Sequence, residues 1–471
     1  MRKWFRVMLV IGLVIASLQL TAILAGAQGG TWVSGFMIQN QDTASTANIT
    51  IKFYWAEGTP NAGVLAYTLS DTIPARQAKS YFTPSFTGLP EGFIGSVVVE
   101  SDKPVAAIMN TQATYDGATT TTPLRVGTGS GVLGEQAGGT MYVTQAMKTY
   151  YGWNSYIAVQ NTTADTASVT VHYYDANGSD ILQNTQSLHP YSTYVFRQDA
   201  EASLPASFSG SAKIIGNKNL AVICNFYNAG TDYTTAQFHS FNGLGAGATK
   251  LYAPRIVKDY YGYQSGLRVQ NVGGSATTVT VQYTFGASTY TQTSPSINPG
   301  QAWGPYMGSP PPELVGVTGS GSATISAAQS VIATINEDNR SLGQGITYNA
   351  FADGTATTTV LFPQVTSKYY GYCSGIQVQN VSTNPGTATV VYSMAGRSDV
   401  TVSGISIGAG QSWSQFLGDV AALGSDFNGS AVVTCDRSIV GIANMSYRYD
   451  KDARYGVKYG DSFTAYNGIN K

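Results

Sequence analysis

Residues 260–271 read YYGYQSGLRVQN, and the same pattern returns as YYGWNSYIAVQN at residues 150–161 and as YYGYCSGIQVQN at residues 369–380. A shortened copy, SGFMIQN, occupies residues 34–40. The closing Gln-Asn pair marks four units, spaced roughly 110 to 120 residues apart, at Asn40, Asn161, Asn271 and Asn380. Solenoid and propeller repeats are only ~20–50 residues long, so each of these units is large enough to bury its own core.

A second set of marks gives the same register. A Gly-Ser pair recurs in every unit, at Gly95-Ser96, Gly210-Ser211, Gly321-Ser322 and Gly429-Ser430. An asparagine follows each pair at a constant distance, at Asn110, Asn225, Asn336 and Asn444. We interpret both sets of asparagines as structural residues that fix turns at strand ends. Between these marks, two apolar stretches joined by a polar turn such as Asp436-Arg437-Ser438 predict a hairpin.

The remaining pattern predicts strands and turns. Apolar side chains fall on every second residue in Thr278–Tyr283 and in Ser168–Tyr173, which is the period of a half-buried strand. Charged residues make up 11% of the chain, against about 25% in an average protein. Glycine-bearing turns separate the strands, and no segment has the period of an amphipathic helix. The prediction is an all-β chain of four tandem immunoglobulin-like β-sandwich domains.

The N-terminal segment is of a different kind. Arg2, Lys3 and Arg6 precede an apolar run, and Ala25-Gly26-Ala27 is typical of a cleavage site, so residues 1–27 are predicted to be a secretory signal peptide. An uncleaved membrane anchor is the alternative. No membrane span is predicted after cleavage. The predicted domains are repeat 1 (28–139), repeat 2 (140–248), repeat 3 (249–358) and repeat 4 (359–471).

The joints between repeats differ in length. Residues 127–139 are rich in glycine and are predicted to form a long linker, whereas the later joints are short. We therefore expect a stiff rod with a hinge after repeat 1. Repeat 1 is also predicted to lack the first strand of its sisters. Either a strand from another chain fills that edge, with Ser462–Lys471 as the nearest donor, or residues of the same chain close it.

Candidate chemical groups are few. Cys373 and Cys435 lie in one repeat, and the sequence leaves open whether they form a disulfide. His172, His189 and His239 lack metal-ligand spacing and are interpreted as surface or turn residues. The loop Asp175–Asp180 resembles a calcium loop but lacks the later glutamate. Glu337–Arg340 and Asp450–Arg454 are interpreted as solvated charge in a loop, with an ion or a partner held at this loop end as the alternative. We predict no cofactor, no metal and no catalytic group.

The tyrosine pairs leave two interpretations open. They recur at the same end of each later repeat, as Tyr150-Tyr151, Tyr260-Tyr261 and Tyr369-Tyr370. They can pack between domains, or they can present stacking surfaces to a sugar or a protein partner. Several weak sites along one chain would raise the affinity of such a binder.

The marks Tyr-Tyr-Gly, Ser-x-x-x-Val-Gln-Asn, Thr-Val-x-Val-x-Tyr and Gly-Ser-Ala, in that order, resemble those of tandem Ig-like repeat proteins of bacterial cell surfaces. The resemblance covers nearly all of residues 28–471 and is one of architecture and repeat style. It implies a secreted, non-enzymatic structural protein of the cell surface, such as a filament or surface-layer subunit assembling head to tail by strand complementation.

The alternative is a multivalent adhesin or glycan-binding protein that uses the tyrosines. Expected partners are further copies of the chain, other envelope proteins or a polysaccharide. Nucleic acid is not expected, because no cluster of lysine and arginine is present.

Overall fold

The computed structural model describes residues 11–15, 32–113, 118–119, 123–228, 230, 232–448 and 450–471. Within these residues the chain is all-β, as the alternating pattern predicts. Val279, Val281 and Tyr283 are fully buried, whereas the residues between them face outward. Short 3-10 turns occur at Thr83–Ser85, Pro312–Leu314, Leu417–Asp419 and Ala421–Leu423.

The described strands fall into four units, which follow one plan. Unit 1 comprises β1 (Ile11–Ile15), β2 (Trp32–Asn40), β3 (Ala47–Trp55), β4 (Leu65–Ile73), β5 (Ala78–Phe82), β6 (Gly95–Ser101), β7 (Val105–Ala113), β8 (Arg125–Ser130) and β9 (Val132–Leu133). Unit 2 comprises β10 (Gly138–Lys148), β11 (Trp153–Asn161), β12 (Ala167–Tyr174), β13 (Asp180–Leu188), β14 (Thr193–Arg197), β15 (Phe208–Asn228) and β16 (Phe238–Asn242).

Units 3 and 4 repeat this order. Unit 3 comprises β17 (Ala248–Lys258), β18 (Gln264–Asn271), β19 (Val279–Phe285), β20 (Ser288–Thr293), β21 (Ala302–Trp303), β22 (Gly319–Asn339), β23 (Gln344–Asn349) and β24 (Phe351–Ala352). Unit 4 comprises β25 (Thr357–Ser367), β26 (Tyr372–Asn380), β27 (Gly386–Ser393), β28 (Val400–Ile407), β29 (Ser412–Phe416), β30 (Phe427–Tyr447), β31 (Phe463–Asn467) and β32 (Ile469–Asn470).

Each unit has two layers. In units 2, 3 and 4 one long strand runs through both layers, whereas in unit 1 two separate strands, β6 and β7, take its place. In unit 4 the first half of β30 pairs with β25 and β27, and its second half pairs with β26 and β31. Phe362 pairs with Ala431 in one layer and packs its ring against Gly441 in the other. The two halves therefore face each other across the core. They do not pair with each other, so the predicted hairpin is wrong, although the polar turn at its centre is where the chain bends.

The four units close into a ring. One short strand near the C-terminal end of each unit takes part in the ring, namely β8, β16, β23 and β31. These four strands contact one another in a cycle, in which β31 of unit 4 contacts β8 of unit 1. We call these the inner strands. Met37 and Ile108 of unit 1 belong to the same core cluster as unit 4. The predicted rod is therefore wrong, because unit 4 packs on unit 1.

A cycle of hydrogen bonds links the ends of the inner strands. Each strand donates from a side chain to a backbone carbonyl of the strand before it: Asn242 Nδ2 to Ser130 O (2.8 Å), Asn349 Nδ2 to Asn242 O (2.8 Å), Asn467 Nδ2 to Asn349 O (2.6 Å) and Ser130 Oγ to Asn467 O (3.3 Å). The fourth bond closes the circle between units 4 and 1. Only a closed arrangement of the four units can satisfy all four donors.

At the other end of the inner strands, Asp461 bridges the units. Its carboxylate accepts hydrogen bonds from the backbone N–H groups of Phe238 in unit 2 and Gly345 in unit 3, at 3.0 and 3.1 Å. Its own N–H donates to Leu124 O in unit 1. Burial raises the pKa of the Asp461 carboxyl, and these N–H donors and the charge of Arg125 act against that rise. One residue of unit 4 thus touches the other three units.

The Gly-Ser marks form the contacts between neighbouring units. Each serine hydroxyl lies against a backbone carbonyl of the next unit, with Ser96 facing Tyr191 O (2.6 Å), Ser211 facing Gly300 O, Ser322 facing Gly410 O (2.7 Å) and Ser430 facing Arg76 O (3.5 Å). The last of these contacts runs from unit 4 to unit 1. The sequence marks used to find the repeats are therefore also residues of the interfaces between them.

Residues 127–139 do not form a linker. Gly127 and Gly129 lie within β8, where Gly127 packs against the Phe238 ring of unit 2. A Cβ atom at Gly127 would overlap that ring, so a glycine is needed for the close approach of units 1 and 2. The expected hinge is replaced by an inner strand.

In unit 1 the first-strand position is filled by residues that precede the predicted cleavage site, so the absence of this strand from residues 28–139 stays a prediction. Strand β1 pairs with β6 and β9, in the position that β10, β17 and β25 hold in the later units. Its residues come from the segment predicted to be a signal peptide, most of which lies outside the described residues. The tail Ser462–Lys471 is not a free donor either, since β31 and β32 pair within unit 4.

His239 is buried, contrary to the prediction of a surface residue. It lies on an inner strand, where Nδ1 is 3.0 Å from Thr347 Oγ1 of unit 3 and the ring packs against Trp153 and Phe226. Burial lowers the pKa of His239 from 6.5 to about 3. The folded ring therefore holds a neutral imidazole between units 2 and 3.

The Asn349→Ala variant tests the cycle of hydrogen bonds. The change removes one donor and leaves the Asn242 carbonyl without it, so we expect the free energy of unfolding to fall by about 1–3 kcal/mol in urea titrations. Asn61 is exposed and makes no contact with another unit through its side chain, so Asn61→Ala is the control and should change little. Equal stability of the two variants would contradict the proposed role of the cycle.

The pH dependence of stability tests the burial of His239. Between its unfolded pKa near 6.5 and its folded pKa of about 3, only the unfolded chain binds the proton, so stability falls as pH falls through this window. We expect His239→Phe to reduce the loss of stability between pH 7.5 and 4.5 by ~2 kcal/mol, measured by urea unfolding at both pH values. His172→Gln, outside the inner strands, should keep the full loss. An unchanged pH dependence in His239→Phe would contradict the assignment.

Candidate functional site

The three tyrosine pairs form identical tight turns. Tyr150 and Trp153 exchange two backbone hydrogen bonds of 3.0 and 2.9 Å across the turn that joins β10 to β11. The same exchange joins Tyr260 to Tyr263 and Tyr369 to Tyr372. Both central residues of each turn have positive φ, which is the backbone of a type I′ hairpin turn.

The second tyrosine of each pair has a backbone conformation that tyrosine disfavours. Its φ is 48° at Tyr151, 51° at Tyr261 and 47° at Tyr370. This left-handed region costs a residue with a Cβ roughly 1–2 kcal/mol of conformational energy, and glycine or asparagine is usually found there. Tyr151 and Tyr261 are 85% and 82% exposed, whereas Tyr370 is 51% exposed and its ring lies 6.1 Å from that of Tyr455. Because these side chains keep much of their surface exposed at a disfavoured φ, a role outside the fold is the natural hypothesis.

The first tyrosine of each pair supports the second. The two rings meet edge to face with centroids 4.7 Å apart in all three turns. Arg255 lies 5.9 Å from the ring centroid of Tyr260, and burial raises the pKa of Tyr369. The sequence left packing and binding open as alternatives; in the structure, Tyr260 and Tyr369 are half-buried, Tyr150 is 37% exposed, and the second tyrosine of each pair is the more exposed one.

All three turns lie at one end of the ring. Strands β11 and β16 both pair antiparallel with the second half of β15, so they run in the same direction. Both strands also start at the same end of β15. Trp153, the first residue of β11, pairs with Asn228, and Phe238, the first residue of β16, pairs with Tyr227. Because the inner strands contact one another at equivalent residues, the tyrosine turns of units 2, 3 and 4 share that end.

Other exposed apolar residues lie at this end. Leu342 is 48% exposed in the loop before β23, and Val457 and Tyr459 are 53% and 38% exposed in the loop before β31. We call this surface the tyrosine face and define it by Tyr151, Tyr261, Tyr370, Leu342, Val457 and Tyr459. Unit 1 contributes no tyrosine pair to it, and Trp32, in the place of Trp153, is buried with its ring 5.3 Å from Phe238.

The first set of marker asparagines fixes turns inside the units. Asn40, Asn161, Asn271 and Asn380 are fully buried. In each, Nδ2 donates to two backbone carbonyls and Oδ1 accepts the N–H two residues later, as in Asn271 with Ser275 O, Ile297 O and Gly273 N. The same three contacts occur in every unit, which explains why the residue recurs.

The second set of marker asparagines, which follow the Gly-Ser pairs, lies next to the inner strands. Asn110, Asn225 and Asn336 each accept a hydrogen bond at Oδ1 from a hydroxyl on the adjacent inner strand, supplied by Thr128, Ser240 and Thr347. Unit 4 has Ala465 at that position, and Asn444 donates to Gln377 instead. Asn110 also donates to Gln364 of unit 4 at 2.8 Å. All four lie within strands, so the prediction that they fix turns at strand ends is wrong for this set, and three of them bond to the inner strands instead.

Cys373 and Cys435 are separate, buried thiols, so the disulfide is not formed. Cys435 lies at the bend of β30, and Cys373 pairs with Ser446 near the far end of its second half. A strand rises about 3.3 Å per residue, which separates the two cysteines by roughly 25 Å. A disulfide requires Cα atoms within about 7 Å of each other.

The charged loops are largely used within the fold. Glu337 is fully buried and forms two hydrogen bonds of 2.7 Å with Arg255, so its interpretation as solvated charge is wrong. Asp175 Oδ1 accepts the N–H groups of Asn177 and Ser179, and Gln301 of unit 3 donates to Ala176 O. The loop that resembles a calcium site is therefore a turn in the interface between units 2 and 3.

The described residues provide neither a metal-binding cluster nor a helix of membrane-spanning length. None of the groups of His, Cys, Asp and Glu in the described part of the chain has three or more members placed to hold a metal ion. The same residues include no helix that is long and apolar enough to cross a bilayer.

Comparison with known proteins gives little. No family model matches the chain, and no curated protein matches it. Among solved structures, the crystal structure of Thermotoga maritima 1070 aligns with 23% of this chain and 96% of its own length, at 14% identity and a TM-score of 0.20. A likeness of this size carries no weight for fold or function, so the function is argued from the chain's own surface.

Proposed function

We propose that this chain is a secreted, non-enzymatic protein of the cell surface that binds a polysaccharide or another envelope component through the tyrosine face. The observation that carries the proposal is the presence of three exposed tyrosines at positive φ, repeated at equivalent turns. An immunoglobulin-like class for each unit and removal of residues 1–27 as a signal peptide belong to the same proposal.

The ring gives the tyrosine face a multivalent character. Tyr151, Tyr261 and Tyr370 sit on units that are fixed to one another by the inner strands, so their positions are set before a ligand arrives. Preorganised aromatic side chains lose little conformational entropy on binding. Three weak contacts made by one rigid body reach a combined affinity that none reaches alone.

Tyrosine-to-glycine variants separate binding from folding. Glycine adopts positive φ without strain, so Tyr151→Gly, Tyr261→Gly and Tyr370→Gly should leave the unfolding midpoint unchanged or raise it. In sedimentation with insoluble cellulose, chitin and peptidoglycan, we expect each change to weaken binding roughly fivefold and the triple variant to weaken it more than about 100-fold.

The matched control removes exposed apolar side chains elsewhere. Val64, Ile181 and Val315 are 55%, 39% and 70% exposed and lie outside the tyrosine face. The variant with all three changed to serine should bind as the unchanged chain does. Unchanged sedimentation of the triple glycine variant, or failure of the unchanged chain to bind any of the three polymers, would count against polysaccharide binding by this face.

A structural role in a filament is the second candidate. Its supporting observation is that β1, which fills the first-strand position of unit 1, comes from the predicted signal peptide. Loss of that strand would free the edge of β6 for a strand from another chain. The donor would then be a segment other than Ser462–Lys471. A monomeric mass for residues 28–471 by light scattering would reject self-assembly by this route.

A further inference from the structure

An open cleft with both polar and apolar lining lies between units 3 and 4, at the end of the ring opposite the tyrosine face. Its volume is about 530 Å³. One wall is the outer layer of unit 3, formed by β17, β19, β20 and β22, and the other wall is two turns of unit 4, residues 381–383 and 409–410. Residues 381–383 follow the end of β26 that is distant from Tyr372, and at that end the Asn380 N–H donates to Gln411 O, beside the second turn. A cleft of this size can hold a ligand of one or two sugar rings.

Hydroxyl groups line the unit 3 wall. Thr280, Thr291, Thr324 and Ser326 face the cleft from adjacent strands. No side-chain hydrogen bond joins any of these four hydroxyls to another residue in the described ranges. By contrast, Thr170, which takes the place of Thr280 in unit 2, is bonded to Thr185 at 2.8 Å. The hydroxyls of unit 3, together with the amide of Gln282, are available to a polyol.

One cation lies at the edge of the cleft. The Lys250 ammonium is 5.3 Å from the centroid of the Tyr252 ring, and no carboxylate of the described residues forms an ion pair with it. Tyr252 is held in place because its hydroxyl donates to Asp353 at 2.8 Å. The lining residues include no carboxylate. The charge of the site therefore favours a ligand that carries a negative group.

The corresponding surface between units 2 and 3 has different chemistry. The strand registers show which residues of unit 2 and unit 3 are equivalent. Gln282 of unit 3 corresponds to His172 of unit 2. Likewise, Thr324 corresponds to Lys213, and Ser326 corresponds to Ile215. His172 is paired with Asp180, and Ile215 exposes an apolar side chain. The hydroxyl-lined surface is thus a feature of unit 3 and not a consequence of the repeat plan.

We propose that the cleft between units 3 and 4 binds an acidic saccharide. The hydroxyls of Thr280, Thr324 and Ser326 and the amide of Gln282 form hydrogen bonds with sugar hydroxyls, and Lys250 pairs with a carboxylate of the sugar. A site built to bond hydroxyl groups discriminates strongly against ligands that lack them. This site is separate from the tyrosine face, so the inference does not depend on the function proposed above.

Titration calorimetry of the full chain with short galacturonate oligomers tests the proposal, with dextran oligomers as the uncharged probe. We expect the galacturonate to bind more tightly than the dextran, with a preference that falls as salt rises. Lys250→Gln should weaken galacturonate binding about five- to tenfold and leave dextran binding unchanged. The double variant Thr280→Val, Thr324→Val should weaken binding of both probes by a similar factor.

Two control variants locate the binding. Thr170→Val, at the equivalent position of unit 2, should bind galacturonate as the unchanged chain does, and so should the triple glycine variant of the tyrosine face. The proposal is overturned if the chain does not bind galacturonate, if Lys250→Gln binds it as tightly as the unchanged chain, or if the triple glycine variant loses the binding. Lys250 is exposed, so loss of folding would not explain a weaker Lys250→Gln variant.

Discussion

Each inner strand donates a side-chain hydrogen bond to the backbone of the inner strand before it, and the bond from Ser130 to Asn467 O returns to the start. This cycle, with the Asp461 carboxylate at the opposite end of the strands, is the constraint on which the arrangement of the units depends. Four repeats of one layered unit become a single body because every inner strand has a neighbour on both sides. A chain with free ends would leave β8 and β31 with one neighbour each and would lose the contacts between units 4 and 1.

Closure of the ring determines what the surface can do. Equivalent turns of units 2, 3 and 4 are brought to one end, so the exposed Tyr151, Tyr261 and Tyr370 act as one surface. The cleft between units 3 and 4 lies at the other end, and its hydroxyl groups distinguish unit 3 from unit 2. The fold shared by the repeats forms the ring. Differences at a few equivalent positions, such as Ser326 of unit 3 and Ile215 of unit 2, give single units their own surface chemistry.

The all-β class and strands such as β19 could be predicted from sequence, because the alternation of Val279, Val281 and Tyr283 follows directly from a half-buried strand. The exposure of the second tyrosine could not be predicted, since tyrosine is rare at positive φ and only the turn geometry reveals it. The sequence does contain one signal for closure of the ring, which is the presence of a Gly-Ser pair in the last unit. The serine of this pair contacts the following unit in units 1, 2 and 3. Ser430 of unit 4 therefore needs a following unit as well, and only unit 1 is left to provide it.

Small-angle X-ray scattering of residues 28–471 tests the central claim, which is that the four units form a closed ring. A compact chain of this length has a radius of gyration of about 22 Å, and a ring should lie within a few ångströms of that value. Four units of about 110 residues arranged end to end would give roughly 40 Å. A value near 22–25 Å agrees with closure through the inner strands, whereas a value near 40 Å would contradict it.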